Sequence, residues 1–253
     1  MSAAALFNPA GGLRYHLRAY RYSERLWQPF RWSLGEWLLG WQPSETTLAL
    51  FGPSGGYCLQ PFLFERFERV ICFEPDPLAY ALFKRRVARA PLDRRPSLER
   101  VAEDHLVSHP ERLEPRLASF GPTALLFSNL IGQLPMLVEA AGAPPAQRER
   151  VRERVRAALA GRSFASFHDR FSGEVRPDLE PPLTADGRAD DRALFSAVYH
   201  ADERDDAKSL GLFDHDSGGY FPDSLAHAYF SWELEPGQFH LIEAVGSSPK
   251  QRV

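Results

Sequence analysis

Residues 46–76 constrain the fold more than any other part of the chain. Their sequence has the pattern of a strand, a glycine turn, a helix and a second strand, in that order. The apolar run at 47–51 is typical of a strand that is buried on both faces, and it ends at Gly52. Apolar residues at 59, 62, 63 and 67 recur at helical spacing, and residues 70–73 form a second apolar run. The stretch therefore predicts a βαβ unit with two parallel strands.

The turn inside this unit contains three glycines, which let the backbone adopt positive φ or pass close to a ligand. Its five residues are Gly52, Pro53, Ser54, Gly55 and Gly56. Glu74 follows the second strand, about 20 residues after the first glycine, where nucleotide-binding folds place an acid that contacts a ribose. Ligands of open α/β sheets bind beyond the carboxyl ends of the strands, so these residues predict a nucleoside site.

The turn does not match the dinucleotide fingerprint, which requires glycines two and five residues after the first one. Those positions hold Ser54 and Tyr57. Pro53 also lacks the N–H group that a pyrophosphate would use at a helix start. The pattern favours an adenosine ligand without phosphates, and an NAD-dependent oxidoreductase stays open as an alternative.

An apolar strand, a glycine-rich turn and an acid after the second strand resemble the first two motifs of the class I S-adenosylmethionine-dependent methyltransferases. The segment LALFGPSGGYCL departs from the first motif in two ways. Phe51 stands where the family has an acid before the first glycine, and the spacing is G-x-x-G-G rather than G-x-G-x-G. The resemblance implies an α/β, Rossmann-like sheet of seven strands in the order 3-2-1-4-5-7-6, with the last strand antiparallel. It also implies S-adenosylmethionine as cofactor, held by the turn residues and Glu74.

The later segments fit the same sheet. Residues 98–102, 123–127 and 163–167 each have the pattern of a strand, and residues 229–234 and 239–244 form a hairpin pattern around Pro236-Gly237. A terminal hairpin agrees with the resemblance, which places the antiparallel last strand beside the fifth. Asp76 as the N-cap and Pro77 at the first helical position predict a helix that begins directly after the second strand.

Three polar side chains follow the later strands and are candidates for the site. The resemblance implies that Asp104 contacts the adenine amino group, and a helix N-cap is the alternative. It implies that Asn129 contacts the cofactor and the methyl acceptor, with helix capping as the alternative. His168 would act as a general base, because the unperturbed pKa of histidine is near neutral. A hydrogen-bonded structural histidine is the alternative for that position.

Two domains are expected. Residues 1–45 are rich in tryptophan and arginine, and the resemblance implies a helical cap over the cleft. Stacking on nucleic acid and an ordinary amphipathic helix are the alternatives. Residues 46–253 would form the methyltransferase-like domain, with an acidic insert at about 170–228.

Composition limits the class of partner. The net charge of −3 and the pI of about 6.3 do not favour nucleic acid. The chain lacks an apolar run of membrane-spanning length, and its two cysteines do not have metal-site spacing, so we expect a cytoplasmic protein without a membrane or a metal. The sequence Asp214-His215-Asp216 offers metal-ligating side chains, but three consecutive residues rarely chelate one ion.

The resemblance implies an S-adenosylmethionine-dependent methyltransferase, and we expect it to act on an oxygen or nitrogen atom of a small molecule. Asn129 and His168 would orient or deprotonate the acceptor. One alternative is a non-catalytic, methyltransferase-like protein that binds a ligand or a protein partner. The NAD-dependent oxidoreductase is the other.

Overall fold

A computed structural model describes residues 12–202 and 205–248. Its helices are α1 (Gly12–Tyr22), α2 (Gln28–Gly40), α3 (Pro77–Arg89), α4 (Leu113–Ala118), α5 (Leu134–Ala140), α6 (Ala146–Leu159) and α7 (Asp191–Tyr199). Its strands are β1 (Thr47–Phe51), β2 (Arg69–Phe73), β3 (Ser97–Val101), β4 (Ala124–Ser128), β5 (Phe164–Gly173), β6 (Leu183–Ala185), β7 (Phe213–Asp214), β8 (His227–Glu235) and β9 (Gln238–Ser247). Short 3₁₀ helices occur at Pro61–Arg66, Pro110–Arg112 and Ile131–Gln133. Within the described ranges, no helix combines the length and the apolar character needed to cross a membrane.

The strands form one mixed sheet in the order β3-β2-β1-β4-β5-β9-β8-β6, and β7 pairs with β5. Strands β1 to β5 are parallel, and β9 runs antiparallel between β5 and β8. With β8 and β9 counted as the sixth and seventh strands, the predicted order 3-2-1-4-5-7-6 is confirmed. All seven predicted strands are present in the described residues, and the insert adds the short strands β6 and β7.

Helices cover both faces of the sheet, because alternate side chains of each central strand point to opposite sides. Leu48 and Leu50 of β1 pack in one apolar cluster with residues of α1, α2 and α3. Ala49 and Phe51 pack in a second cluster with residues of α4, α5 and α6. With both faces covered, the carboxyl ends of the parallel strands are the part of the sheet that is open to a ligand.

The connection from β1 to β2 differs from the prediction. It contains a 3₁₀ helix, Pro61–Arg66, in place of an α-helix. Leu59, Leu63, Phe64 and Phe67 are all buried, so apolar residues occupy more than one side of this short segment. The segment therefore has no side that is fully exposed to solvent, and it forms a short, tight 3₁₀ helix rather than an amphipathic α-helix.

Strand β5 is longer than predicted, since it runs to Gly173 rather than ending near residue 167. Antiparallel pairing with β9 extends from Phe164, opposite Ser247, to Gly173, opposite Phe239. The register shifts between Asp169 and Phe171. Residues 168 and 169 consequently lie inside a strand and point to opposite faces, rather than in a loop after it.

Candidate ligand site

A cavity of about 490 Å³ lies at the carboxyl ends of β1, β2 and β4. Its wall also contains residues of α1, α3 and α5, together with the loop that follows β3. This volume lies within the range of about 300–1,000 Å³ that small-molecule sites occupy. The position is the one at which open α/β sheets bind their ligands.

The glycine turn contributes only its first half to the cavity wall, namely Gly52, Pro53 and Ser54. Gly55 and Gly56 are not among the lining residues. A Cβ atom at Gly56, whose φ is +70°, would lie 2.7 Å from the ring of Phe83. Gly56 is therefore required by the packing of α3 against the turn rather than by a ligand.

Glu74 is buried at the end of β2 and lines the cavity. Its Oε2 atom accepts a hydrogen bond from the Ser54 N–H at 3.0 Å, and its Oε1 atom accepts one from the Asp76 N–H at 3.1 Å. Burial raises the pKa of this carboxyl, although the two N–H donors oppose the shift. A carboxylate has about four acceptor positions, so Glu74 is held in place while two positions remain for a ligand.

Asp104 lines the cavity, but its carboxylate is used by its own loop. Oδ1 accepts hydrogen bonds from the N–H groups of Leu106 at 3.0 Å and Val107 at 2.9 Å. Oδ2 accepts from the N–H of Ser108 at 3.0 Å and from its hydroxyl at 2.9 Å. These four hydrogen bonds use the full acceptor capacity of a carboxylate. Asp104 thus has the geometry of a capping residue, which is the alternative to the expected contact with adenine.

The neighbouring His105 is a polar group with unused hydrogen-bonding capacity at this end of the cavity. Its ring is buried against Phe73, with the ring centroids 5.8 Å apart. Among the described residues, its buried Nδ1 atom has no hydrogen-bond partner. Burial lowers the pKa of His105, so a neutral ring is favoured. The sequence offered no signal for this residue beyond its place after Asp104.

Asn129 lines the cavity at the end of β4 and is joined to β5 by a reciprocal pair of hydrogen bonds. Its Oδ1 atom accepts from the Asp169 N–H at 3.0 Å, and its Nδ2 atom donates to Asp169 Oδ2 at 3.2 Å. Its φ of +49° lies in the left-handed region, which asparagine tolerates better than most residues. Asn129 therefore connects the cavity wall to a buried carboxylate, rather than capping a helix.

His168 does not lie at the cavity, so the expected meeting of Asn129 and His168 in one cleft is wrong. His168 is only 1% exposed, and its ring stacks on Phe221 with the centroids 5.7 Å apart. Its Nδ1 atom lies 2.9 Å from Ser166 Oγ. The reason is strand alternation: β5 continues past this point, so His168 points to the face opposite Asp169.

Three side chains that the sequence analysis did not assign to the site meet beside Asn129. His240 Nδ1 lies 2.8 Å from Asp169 Oδ1. His215 Nε2 lies 2.9 Å from Ser172 Oγ, and its Nδ1 lies 3.3 Å from the Gly132 carbonyl oxygen. One donor atom from each of Asp169, His215 and His240 lies within 4.8 Å of the others, and each of these side chains already has a partner inside the protein. Asp214 and Asp216, by contrast, are exposed.

The buried Asp169 carboxyl is ionised. Burial alone would raise its pKa, but the nearby rings of His240 and His215 and the hydrogen bond from Asn129 outweigh that effect and lower the pKa to about 2. The contact between Asp169 and His240 could not be read from the sequence. Side chains alternate along β5 and β9, but alternation does not give the register in which the two strands pair.

Helix α1 closes the cavity over the glycine turn. Tyr15 lines the cavity, with its hydroxyl oxygen 3.7 Å from Cys58 Sγ. On the next residue of the helix, His16 Nδ1 lies 3.1 Å from the Tyr57 hydroxyl oxygen. The ring of Tyr15 also packs against Trp27, with the centroids 5.8 Å apart. The tryptophan-rich segment thus packs on the turn through aromatic rings that are buried or partly buried.

No family model matches the chain. No curated protein matches it either. Solved structures with a similar arrangement include the glycopeptide N-methyltransferase MtfA complexed with (S)-adenosyl-L-methionine, with 20% identity, 61% of this chain covered and a TM-score of 0.35. This chain spans 59% of the length of that protein.

Two further solved structures cover more of the chain. A SAM-dependent methyltransferase from Anabaena variabilis ATCC 29413 is 18% identical, covers 82% of this chain and 77% of its own, and has a TM-score of 0.41. The N-methyltransferase NodS from Bradyrhizobium japonicum WM9, in complex with S-adenosyl-l-homocysteine, is 12% identical, covers 90% and 87%, and has a TM-score of 0.37. Because each TM-score lies below 0.5, these likenesses decide neither an activity nor a ligand for this chain.

Proposed function

We propose that this protein is an S-adenosylmethionine-dependent methyltransferase that acts on a nitrogen or oxygen atom of a small molecule. The observation that carries the proposal is the buried Glu74 carboxylate at the end of β2, which faces the cavity with acceptor positions to spare. The two hydroxyl groups of an adenosine ribose are donors that suit this carboxylate. Its burial makes such hydrogen bonds stronger than they would be in water.

The residues around Glu74 fit a phosphate-free adenosyl group better than a dinucleotide. The Ser54 N–H, which could otherwise face a phosphate, is occupied by Glu74, and Pro53 has no N–H. A short 3₁₀ helix follows the turn, so the dipole of a long helix does not point at the site. These features disfavour NAD.

The adenine end of the ligand would lie near His105 rather than on the Asp104 carboxylate. The unused Nδ1 atom of His105 could bond to a ring nitrogen or an amino group of adenine. Val107 and Leu137, both on the cavity wall, would provide apolar contact with the base. Asp104 would act indirectly, by fixing the loop that carries His105.

The bound cofactor would supply a methyl group on a positively charged sulfur. The protein then has to align the acceptor, exclude water and accept the proton that the acceptor loses. Asn129 and Tyr15 lie on the cavity wall and can orient a polar acceptor. His168, which is buried away from the cavity, has no part in this proposal.

Calorimetric titration with S-adenosylmethionine and S-adenosylhomocysteine tests the proposal. We expect wild type to bind both, and Glu74→Ala to bind at least tenfold more weakly, because charge-assisted hydrogen bonds contribute about 1.5–3 kcal/mol. The matched control is Glu36→Ala, which removes an exposed carboxylate on α2 and should not change the affinity. Equal binding by wild type and Glu74→Ala would remove Glu74 from the site.

The same preparation separates the alternatives. Binding of both adenosyl compounds without S-adenosylhomocysteine formation, over a panel of alkyl amines and phenols, would favour a non-catalytic binding protein. Binding of NADH in their place would favour an oxidoreductase. In each case, circular dichroism of the Glu74→Ala variant shows whether a lost affinity reflects a lost fold.

A further inference from the structure

Three metal-ligating side chains from distant parts of the chain meet behind Asn129. Asp169 belongs to β5, His215 directly follows β7, and His240 belongs to β9. One donor atom from each lies within 4.8 Å of the other two. Asp169 and His215 are buried, and the His240 side chain is 15% exposed. Imidazole nitrogen and carboxylate oxygen are ligands that zinc and related divalent metals accept in proteins.

The hydrogen bonds of His215 leave a lone pair on one of its nitrogens. Nδ1 lies 3.3 Å from the Gly132 carbonyl oxygen, which can only accept, so Nδ1 carries the hydrogen. In the neutral ring Nε2 then has the lone pair, and it lies 2.9 Å from Ser172 Oγ. Metal-ligating histidines usually donate their second N–H to a backbone carbonyl or a carboxylate. His215 is therefore oriented as a ligand through Nε2, a nitrogen to which Ser172 donates in the metal-free protein.

The Asp169 carboxylate is supported in a comparable way. Asn129 Nδ2 donates to its Oδ2 atom at 3.2 Å, and its Oδ1 atom lies 2.8 Å from His240 Nδ1. Ligating carboxylates generally have such a second hydrogen bond, which fixes their orientation. Two atoms bound to one tetrahedral zinc lie about 3.3 Å apart, so Asp169 and His240 are close enough to share an ion.

The acids that flank His215 do not belong to this set. Asp214 and Asp216 are exposed. Asp214 accepts a hydrogen bond from the Asp216 N–H at 2.8 Å, and Asp216 lies 3.4 Å from Arg152. The three ligand candidates are brought together by the pairing of β5 with β7 and β9 rather than by a local motif. For this reason the spacing of residues in the sequence did not predict a metal.

We propose that Asp169, His215 and His240 bind one divalent transition-metal ion, for which zinc is the test ion. With three protein ligands, a water molecule completes the tetrahedral coordination that zinc prefers. The partly exposed His240 gives the ion and this water a path from solvent. The ion joins β5 and β9 to the insert that carries His215, and through Asp169 it fixes Asn129. The inference does not depend on the proposed methyltransferase function.

The zinc content of the full chain tests the site. After equilibration with zinc chloride and desalting, we expect elemental analysis to find one zinc per chain in wild type. Competition with a chromophoric chelator should show at least 100-fold weaker binding in Asp169→Asn, His215→Gln and His240→Gln, because the loss of a supporting hydrogen bond alone costs about 10–100-fold. The matched control is His200→Gln, which removes an exposed imidazole 3.2 Å from Asp178 and should leave the affinity unchanged.

Cobalt gives a spectroscopic measurement of the same site. Co²⁺ in a four- or five-coordinate protein site absorbs visible light much more strongly than the hydrated ion does. We expect one equivalent of cobalt to produce these bands in wild type and in His200→Gln, but not in His215→Gln. Circular dichroism in EDTA shows whether each variant keeps its fold, because without metal the variants differ from wild type only through the contacts and charges of the site.

Two results would overturn the inference. One is a folded wild type that retains no zinc and develops no cobalt bands, which would mean that the three side chains form only a hydrogen-bonded cluster. The other is equal metal affinity in wild type and in all three ligand variants, which would assign the ion to another part of the chain. Neither result affects the binding of S-adenosylhomocysteine, which tests the proposed function separately.

Discussion

Gly132 lies so close to Asp169 that a Cβ atom on the glycine would be 2.2 Å from the backbone carbonyl oxygen of the aspartate. The same Cβ would lie 3.2 Å from Cβ of His215. A 3₁₀ turn after β4 therefore rests directly on the backbone of β5 at Asp169. Gly132 is therefore required by packing within the protein rather than by contact with a ligand.

Gly132→Ala should consequently destabilise the protein and disturb the loop after β4. Backbone cannot move aside as a flexible side chain can, so we expect a loss of about 2–4 kcal/mol in the free energy of unfolding, within the range of severe overpacking. Urea unfolding followed by circular dichroism measures the change. Gly40→Ala is the control, because a Cβ there meets no atom within 4 Å. Similar unfolding midpoints for the two variants would contradict the close packing.

The pKa of Glu74 makes ligand binding depend on pH. Burial raises this pKa above 4.5, so the carboxyl of the free protein takes up a proton as the pH falls toward that raised value. A ribose that donates hydrogen bonds prefers the ionised form, so binding should release a proton in that pH range. Affinity for S-adenosylhomocysteine should fall as the pH decreases through the raised pKa. Calorimetry in two buffers with different ionisation enthalpies measures the number of protons that are released on binding.

Glu74→Gln is the control for this linkage. Glutamine keeps the shape of the side chain but cannot ionise, so the variant should bind more weakly and without the pH-dependent proton release. The same proton release in wild type and Glu74→Gln would show that another group is responsible.

The central strands could be located from the sequence, because each is a short apolar run bounded by turn residues. Their order in the sheet came from the resemblance to class I methyltransferases and not from the apolar runs. Glu74 could also be placed at the cavity from the sequence, since an acid at the end of the second strand has one possible position in such a sheet. Asp76 was correctly expected to cap α3, and it accepts a hydrogen bond from the Leu78 N–H at 2.8 Å.

The residues that meet beside Asn129 could not be predicted in the same way. His168 and Asp169 are consecutive, and which of them faces Asn129 depends on where β5 ends and on its bulge, which no local pattern specifies. His240 reaches Asp169 only through antiparallel pairing of β9 with β5, across 71 positions of the chain. Long-range register of this kind depends on packing rather than on the residues beside it in sequence.

Asp169 should stabilise the protein through its ionised form. The pKa of the folded state, about 2, lies below the ordinary value of 3.8, so this stabilisation is complete above about pH 4 and disappears as the pH falls through about 2. A shift of nearly two units corresponds to about 2 kcal/mol. Asp169→Asn should therefore lower the free energy of unfolding by about that amount at pH 7, and by progressively less as the pH falls from 4 toward 2.

Urea unfolding of wild type and Asp169→Asn at several pH values measures this difference. Asp178→Asn provides a matched comparison, because Asp178 also contacts a histidine, His200, but both side chains are exposed. Exposed pairs contribute about 0–1 kcal/mol, so this variant should differ little from wild type. A pH-independent cost of Asp169→Asn would indicate a packing role rather than a charge role.

A second buried carboxylate, Glu243, holds the insert against the sheet. It is 1% exposed in β9, and its oxygens accept hydrogen bonds from Arg188 Nε at 3.1 Å and from an Arg170 nitrogen at 3.4 Å. His227 Nδ1 lies 2.7 Å from the same carboxylate. Arg170 in turn donates to Asp191 at the start of α7. The residues of β5 and β9 are thus connected to the insert through charges rather than apolar contacts alone.

Glu243→Ala should leave the guanidinium groups of Arg170 and Arg188 buried or half-buried without their carboxylate. Removing one partner of a buried ion pair costs about 3–5 kcal/mol, so we expect a large loss of stability and faster proteolysis near residues 200–210, in the insert that these arginines hold. Glu139→Ala is the control, since it breaks an exposed pair with Arg148. Unchanged cleavage of the insert in a destabilised but folded Glu243→Ala would mean that apolar packing of α7 holds the insert without the charged network.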